Sequence, residues 1–216
     1  MKLSRERLNA LTTATYESTT ATFERGCTGA TCAALCRRLN GVIDGEIAAL
    51  QTAGAGVACA PGCDFCCHLR VSVFGHEAMA LLLALRTRTA PADAAVIEQR
   101  IRVNAQRIDA MTPEQHRTAG LACAFLIDGR CSAHEVRPSA CAAYHSLSRD
   151  RCERSFRDPA HIGTPQNSRP ALLEVQVLGT ALIETTQAAC VTAGMAGEQI
   201  ELHQALRALL ASAEPL

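Results

Sequence analysis

Cys59-Ala60-Pro61-Gly62-Cys63-Asp64-Phe65-Cys66-Cys67 puts four cysteines into nine residues, spaced C-x3-C-x2-C-C. Pro61 and Gly62 mark a turn between the first two. A turn that gathers thiols within a few residues makes a chelating loop. A second block answers it, with Cys123, Cys131, Cys141 and Cys152. That block is short of helical periodicity, so it is expected to fold around its ligands rather than around an apolar face of its own. Eight cysteines in two clusters, behind an N-terminus without the apolar run of a secretory signal, read as a metal site before a disulfide framework. Thiolates suit zinc, iron–sulfur clusters and Cu(I). Eight match two four-coordinate ions, or one cluster and one ion.

The adjacent pair Cys66-Cys67 carries the most information. One tetrahedral ion could accept both sulfurs only through a small, strained ring, and consecutive side chains in extended backbone diverge. The pair is therefore expected to serve two metal atoms, the alternatives being a vicinal disulfide or one spare thiol. Near the cysteines lie His68, His134, His145 and His161, each a candidate additional ligand or an ordinary histidine. Asp64 suits a turn cap. Tyr144 can shield the site, and Arg137 can donate to sulfur from outside the ligand set.

Around these blocks the chain reads as helix. Ser4 caps a helix to about Phe23, with Leu8, Leu11 and Thr15 on one side. A stronger one spans Ala30 to Leu50, where Cys32, Leu35, Cys36, Leu39, Ile43 and Leu50 share a face. Cys32 and Cys36 are read as small core residues, although a pair one turn apart can also hold a soft metal. Cys27 precedes them. Val71 and Val73 mark a short extended segment, and Gly75 leads into a helix to about Thr87 with Glu77 in its positive first turn. Pro91 opens another, with Ile97, Ile101, Asn104 and Ile108 on one face. Thr112-Pro113-Glu114-Gln115 is a further helix start. Asp128-Gly129 reads as a tight hairpin turn and Asp158 to Pro170 as a loop. Two last helices are expected. Pro170–Ala189 carries Leu172, Leu173, Val177 and Ile183, and Glu198–Ala211 carries Ile200, Leu206, Leu209 and Leu210. The fold class is mainly α: a single helical domain over 1–216 with a Cys-cluster region at 59–156.

Composition excludes several classes. Of 216 residues 48% are hydrophobic but 3% aromatic, and Lys plus Arg balance Asp plus Glu at 21 each. No basic excess points to nucleic acid, and no apolar run approaches the ~18 residues of a bilayer span. The expected partners are metal ions, without nucleic acid or membrane, and the expected location is cytoplasmic.

The two blocks resemble the YkgJ-type cysteine-cluster family, also called the CxxCxxCC zinc- or iron-chelating domain. The first block matches through Gly62-Cys63, Cys66-Cys67-His68, Val71, Val73 and Glu77. The second matches through Cys123, Cys131-Ser132, Arg137-Pro138 and Cys141, with Cys152 downstream. His134 stands where Tyr is usual and Ala142 where Arg is usual. The resemblance implies zinc or iron, an iron–sulfur cluster included, bound by Cys59, Cys63, Cys66, Cys67, Cys123, Cys131, Cys141 and Cys152. Some members are described as flagellin lysine N-methylases. That implies an alternative, a cluster-dependent protein-lysine N-methylase using S-adenosylmethionine, although no donor-binding loop is legible here. A third reading is a Cu(I) or zinc buffer, in which Cys27, Cys32, Cys36 and Cys190 join the eight.

Overall fold

Cap residues fix where the N-terminal helices begin. The Ser4 hydroxyl accepts the Arg7 N–H and opens α1 (Arg5–Glu24). Thr28 and Thr31 exchange main-chain and side-chain hydrogen bonds to open α2 (Gly29–Thr52). The computed structural model describes residues 3–161 and 170–212. It continues with α3 (Gly75–Arg88), α4 (Pro91–Asp109), α5 (Pro113–Thr118), α6 (Ser139–Ala143), α7 (Arg149–Arg157), α8 (Leu173–Thr192) and α9 (Leu202–Ala211). Two small antiparallel pairs complete it. β1 (Ser72–Val73) pairs with β4 (Ile200–Glu201), and β2 (Leu126–Ile127) with β3 (Arg130–Cys131). The fold is mainly helical, as the periodicity predicts.

The helices pack α2 on α3, α1 on α8, α4 on α9 and α6 on α8. The main core joins Cys32, Cys36, Leu81, Leu82, Ile97, Ile101 and Leu206 to Ala124, Phe125 and Val136 of the second Cys block. That block is thus anchored in the core and does not lie on the surface as a separate appendage. The Asp128-Gly129 hairpin forms as expected, both residues at positive φ (48° and 72°).

Several expectations are corrected. Ile200 does not belong to the last helix: Ile200–Glu201 is β4, and Ile200 is exposed. The predicted face of α8 is also displaced. Leu173 and Val177 face outward, and Val175, Leu178 and Leu182 are buried instead. Apolar residues also occupy the exposed side of this helix, at Leu173 and Val177, among polar ones such as Gln176 and Glu184, so periodicity does not select the buried face. The second block holds two helices that its pattern does not announce. α7 buries none of its residues and so shows no apolar stripe. Cys32 and Cys36 are buried as expected, but Cys32 is joined to Cys27 by a disulfide, with Cα atoms 6.1 Å apart. The tight α1–α2 connection brings Cys27 within reach of the first turn of α2. Of the predicted loop 158–170, residues 162–169 lie outside the described residues.

Candidate metal centre

The first Cys loop is shaped by Gly62, which sits at φ +85° and lets the Cys63 N–H reach back to the Ala60 carbonyl at 3.0 Å. Residues Phe65–His68 form a 3-10 turn. Three residues per turn rotate consecutive side chains by about 120°. Cys66 and Cys67 therefore diverge, for a different backbone reason from the extended one expected.

Main-chain contacts draw the two blocks together. The Cys123 N–H donates to the Cys67 carbonyl at 2.7 Å, and the Ala58 N–H to the Ser146 carbonyl at 2.8 Å. The Ser146 N–H in turn donates to the Cys59 sulfur. Three further sulfurs accept a main-chain N–H from the residue two positions on: Cys63 from Phe65, Cys123 from Phe125, Cys131 from Ala133. An N–H aimed at sulfur favours the thiolate, the form that binds metal.

The thiols fall into two groups around Cys66. Cys59, Cys63 and Cys152 interact electrostatically with one another, and Cys66 acts on both Cys59 and Cys63. Cys123, Cys131 and Cys141 make the second group, and Cys66 acts on each of its members. Among the described residues, however, no three His, Cys, Asp or Glu side chains stand in a ready-made metal-holding arrangement. Burial pushes the Cys123 thiol up to about 12 and raises Cys131, Cys141, Cys59 and Cys63 above the ordinary thiol range. Without a cation these five groups stay protonated at neutral pH.

Two buried carboxylates brace the second block. Glu77, 2% exposed, accepts the Phe74 N–H (3.0 Å) and the Ser139 N–H (2.8 Å), tying the start of α3 to the start of the helix that carries Cys141. Its expected role at the helix end is only half of what it does. Glu201 accepts from His203 Nδ1 at 2.9 Å, and His203 Nε2 accepts the Ala124 N–H at 3.2 Å. That fixes the Nδ1–H tautomer and reaches the residue next to Cys123. Asn104 completes the brace by donating to the Ala122 carbonyl at 2.9 Å. Burial opposes ionisation of Glu201, but the hydrogen bonds from His203 and from the Gln204 N–H hold its carboxyl below the usual range. The Glu201–His203 pair was not identified from sequence. A Glu two residues before a His is its only local sign, and the segment read as helix.

The accessory candidates separate clearly. The ring nitrogens of buried His145 are engaged by the Ala143 carbonyl (3.0 Å) and the Leu172 N–H (2.8 Å), so His145 is a core histidine and not an added ligand. His134 is exposed beside Arg137. His161 closes a 3-10 turn, and its side chain lies outside the described residues. Asp64 makes no side-chain cap; its carbonyl accepts the Cys67 N–H. Arg137 pairs with Asp44 at 2.5 Å and donates to the His134 carbonyl, while its charge favours the Cys131 thiolate. Cys36 and Cys190 are buried in the core, and Cys190 packs with Phe23, Leu35 and Leu39. His68 and Tyr144 line a cavity of about 30 Å³ together with Phe65, Cys66, Cys152 and Phe156.

Residues 58–161 match the model of a family described as "CxxCxxCC: Putative zinc- or iron-chelating domain", and all eight clustered cysteines fall inside that span. This stretch belongs to the CxxCxxCC family. No curated protein and no solved structure matches the chain. Glu201 and His203 brace the CxxCxxCC segment from outside the matched region.

Proposed function

We propose that this protein binds zinc or iron through Cys59, Cys63, Cys66, Cys67, Cys123, Cys131, Cys141 and Cys152, with 59–156 as the metal-binding region of one domain. The observation that carries the reading is the position of Cys66, whose thiol interacts with members of both thiol groups. The donors fit such ions: soft sulfurs, four of them already accepting main-chain N–H bonds. Two ions fit the division, one at Cys59, Cys63 and Cys152, the other at Cys123, Cys131 and Cys141. Cys66 acts electrostatically on members of both, and Cys67 is tied through its carbonyl to Cys123. Ten free cysteines suit a reducing compartment such as the cytoplasm, against which the single Cys27–Cys32 disulfide stands.

Elemental analysis and an absorption spectrum of anaerobically purified protein test this reading. Zinc or iron near two ions per chain supports it, with visible absorption and acid-labile sulfide marking a cluster. Protein that binds neither metal overturns it. Cys66→Ser and Cys67→Ser should each lower the metal count, and one silent variant would reduce the loop to a single ion with a spare thiol. The lysine-methylase alternative gains no support from the cavity beside the thiols. At about 30 Å³ it has room for roughly two waters, far less than S-adenosylmethionine. The buffer alternative loses Cys27 and Cys32 to their disulfide and leaves Cys36 and Cys190 in the core.

A further inference from the structure

We propose that Cys27 and Cys32 form a reversible redox couple, and that Cys27 is the site at which it exchanges with low-molecular-weight thiols such as glutathione. This goes beyond the metal-binding reading and does not depend on it, since neither sulfur is among the eight proposed ligands.

The pair spans the joint between α1 and α2. Cys27 is half-buried in the connection, and Cys32 is fully buried near the start of α2. A disulfide joins them. The joint keeps its shape by other means as well. The Gly26 N–H donates to the Phe23 carbonyl at 3.0 Å, with Gly26 at φ +97°. Thr28 and Thr31 close the helix cap between the two cysteines. A loop this short also gains less from a cross-link than a long one. The reduced and oxidised chains can therefore share one backbone, which suits cycling better than permanent locking.

Thiol–disulfide exchange starts at the sulfur that a thiolate can reach. Cys27 offers such a sulfur and Cys32 does not. The incoming thiolate bonds to Cys27 Sγ, the Cys27–Cys32 bond breaks, and its electron pair leaves on Cys32 Sγ. That sulfur is bonded to a residue two positions before Gly29, the first residue of α2, so it lies at the positive end of the helix. The helix end favours the departing thiolate, as it does at reactive cysteines generally. A proton from water then neutralises Cys32, as its burial demands. A second small thiolate attacks the adduct and releases Cys27. The sum is two protein thiols and one small-molecule disulfide, with two electrons passed to the pair. Oxidation by the small disulfide is the same sequence in reverse.

Two other core cysteines lie near and stay out of the exchange. Cys36 follows Cys32 by one turn in the same buried cluster, and Cys190 packs with Phe23, Leu35 and Leu39, against which Cys27 also rests. Burial, with the Glu77 charge, pushes the Cys36 thiol well above its ordinary range and the Cys190 thiol up to about 11. Neither forms the thiolate that attack requires at neutral pH, so the electrons stay on the pair. A disulfide beside ten free cysteines then has a place in a reducing compartment, where it follows the thiol balance.

The test holds the full chain in buffers running from reduced to oxidised glutathione, quenches in acid, alkylates, and maps the tryptic peptide that ends at Arg37 and carries Cys27, Cys32 and Cys36. Cys27 and Cys32 should pass from alkylated to disulfide within the series and return when the ratio is reversed, with Cys36 alkylated throughout. Early quenching should find glutathione on Cys27 and not on Cys32. Cys32→Ala should retain the adduct on Cys27, and in Cys27→Ala the Cys32 thiol should take glutathione at least tenfold more slowly. The early-quench result comes from the parent chain alone, so a variant that misfolds does not remove the test. A pair that keeps one state across the series, an adduct formed first on Cys32, or a Cys32–Cys36 bond would overturn the proposal. None of these readouts depends on metal content, so each would leave the metal-binding reading standing.

Discussion

A few buried polar residues decide how firmly the thiols are held. His203 serves a carboxylate on one nitrogen and a main-chain N–H on the other. His203→Ala would strand Glu201, whose side chain is 4% exposed, and leave the Ala124 N–H unpaired. Breaking a buried pair from one side costs about 3–5 kcal/mol, so chemical denaturation should show a loss of that order and metal should bind more weakly. His76 is the contrasting case. It is fully buried between Phe23 and Phe74, and neither ring nitrogen has a partner. Burial lowers its basicity below the ordinary 6.5, against the pull of Glu77. The fold keeps it neutral while the unfolded chain protonates it. Stability should therefore fall as pH drops below about 6.5, by up to ~1.4 kcal/mol per pH unit. His76→Leu should flatten that acid limb in denaturation measured from pH 7 to pH 5, and an unchanged slope would count against His76 as its source. At this scale the sequence revealed the thiols, because C-x3-C-x2-C-C is a local pattern. It did not reveal His203 or the second bond of Glu77, because their partners lie 79 and 62 residues away.

Among elements, the legible ones carry their own caps and faces. α1, α2 and α5 each begin at a Ser or Thr that accepts an N–H of the first turn, and all three were placed within about two residues. α8 was placed but its buried face was not, and β4 was missed. A two-residue strand has no periodicity, and it exists because β1 lies beside it. The same limit hid the contact that seats Cys141. At Gly179, on α8, an added Cβ would overlap the Ala143 Cβ on α6, an atom fixed directly to that helix's backbone. The absence of a side chain lets α8 approach the short helix that carries Cys141. Gly179→Ala raises helix propensity by about 1 kcal/mol. Overpacking should outweigh that gain, giving a net loss of roughly 1–2 kcal/mol, and metal content should fall as Cys141 is displaced. The larger Gly179→Leu should be worse in both respects. A Gly179→Ala protein that is stabilised and fully metallated would show that the approach is not required.

At the scale of the molecule, the helices and the CxxCxxCC segment depend on different forces. α1 with α8, and α2 with α3, bury apolar faces against each other and need no ligand. The two cysteine blocks, 58–68 and 123–157, are short turns, one two-residue hairpin and short helices, one of which buries nothing. Their raised thiols are neutral without metal, so each one recruited as a ligand must release a proton. Metal affinity should therefore rise with pH through the neutral range, by about tenfold per pH unit for each proton released. Zinc titrations in two buffers of different ionisation enthalpy would count those protons directly. The same coupling makes metal binding a source of folding free energy for this segment alone. Removing the metal should raise amide exchange over 58–68 and from Cys123 through α7, while α1, α2, α3, α4 and α8 keep most of their protection. Exchange that rises evenly through the chain would mean that the metal supports the whole core. Exchange that does not change at all would mean that the segment is held by Phe125, Glu77 and Glu201 without it.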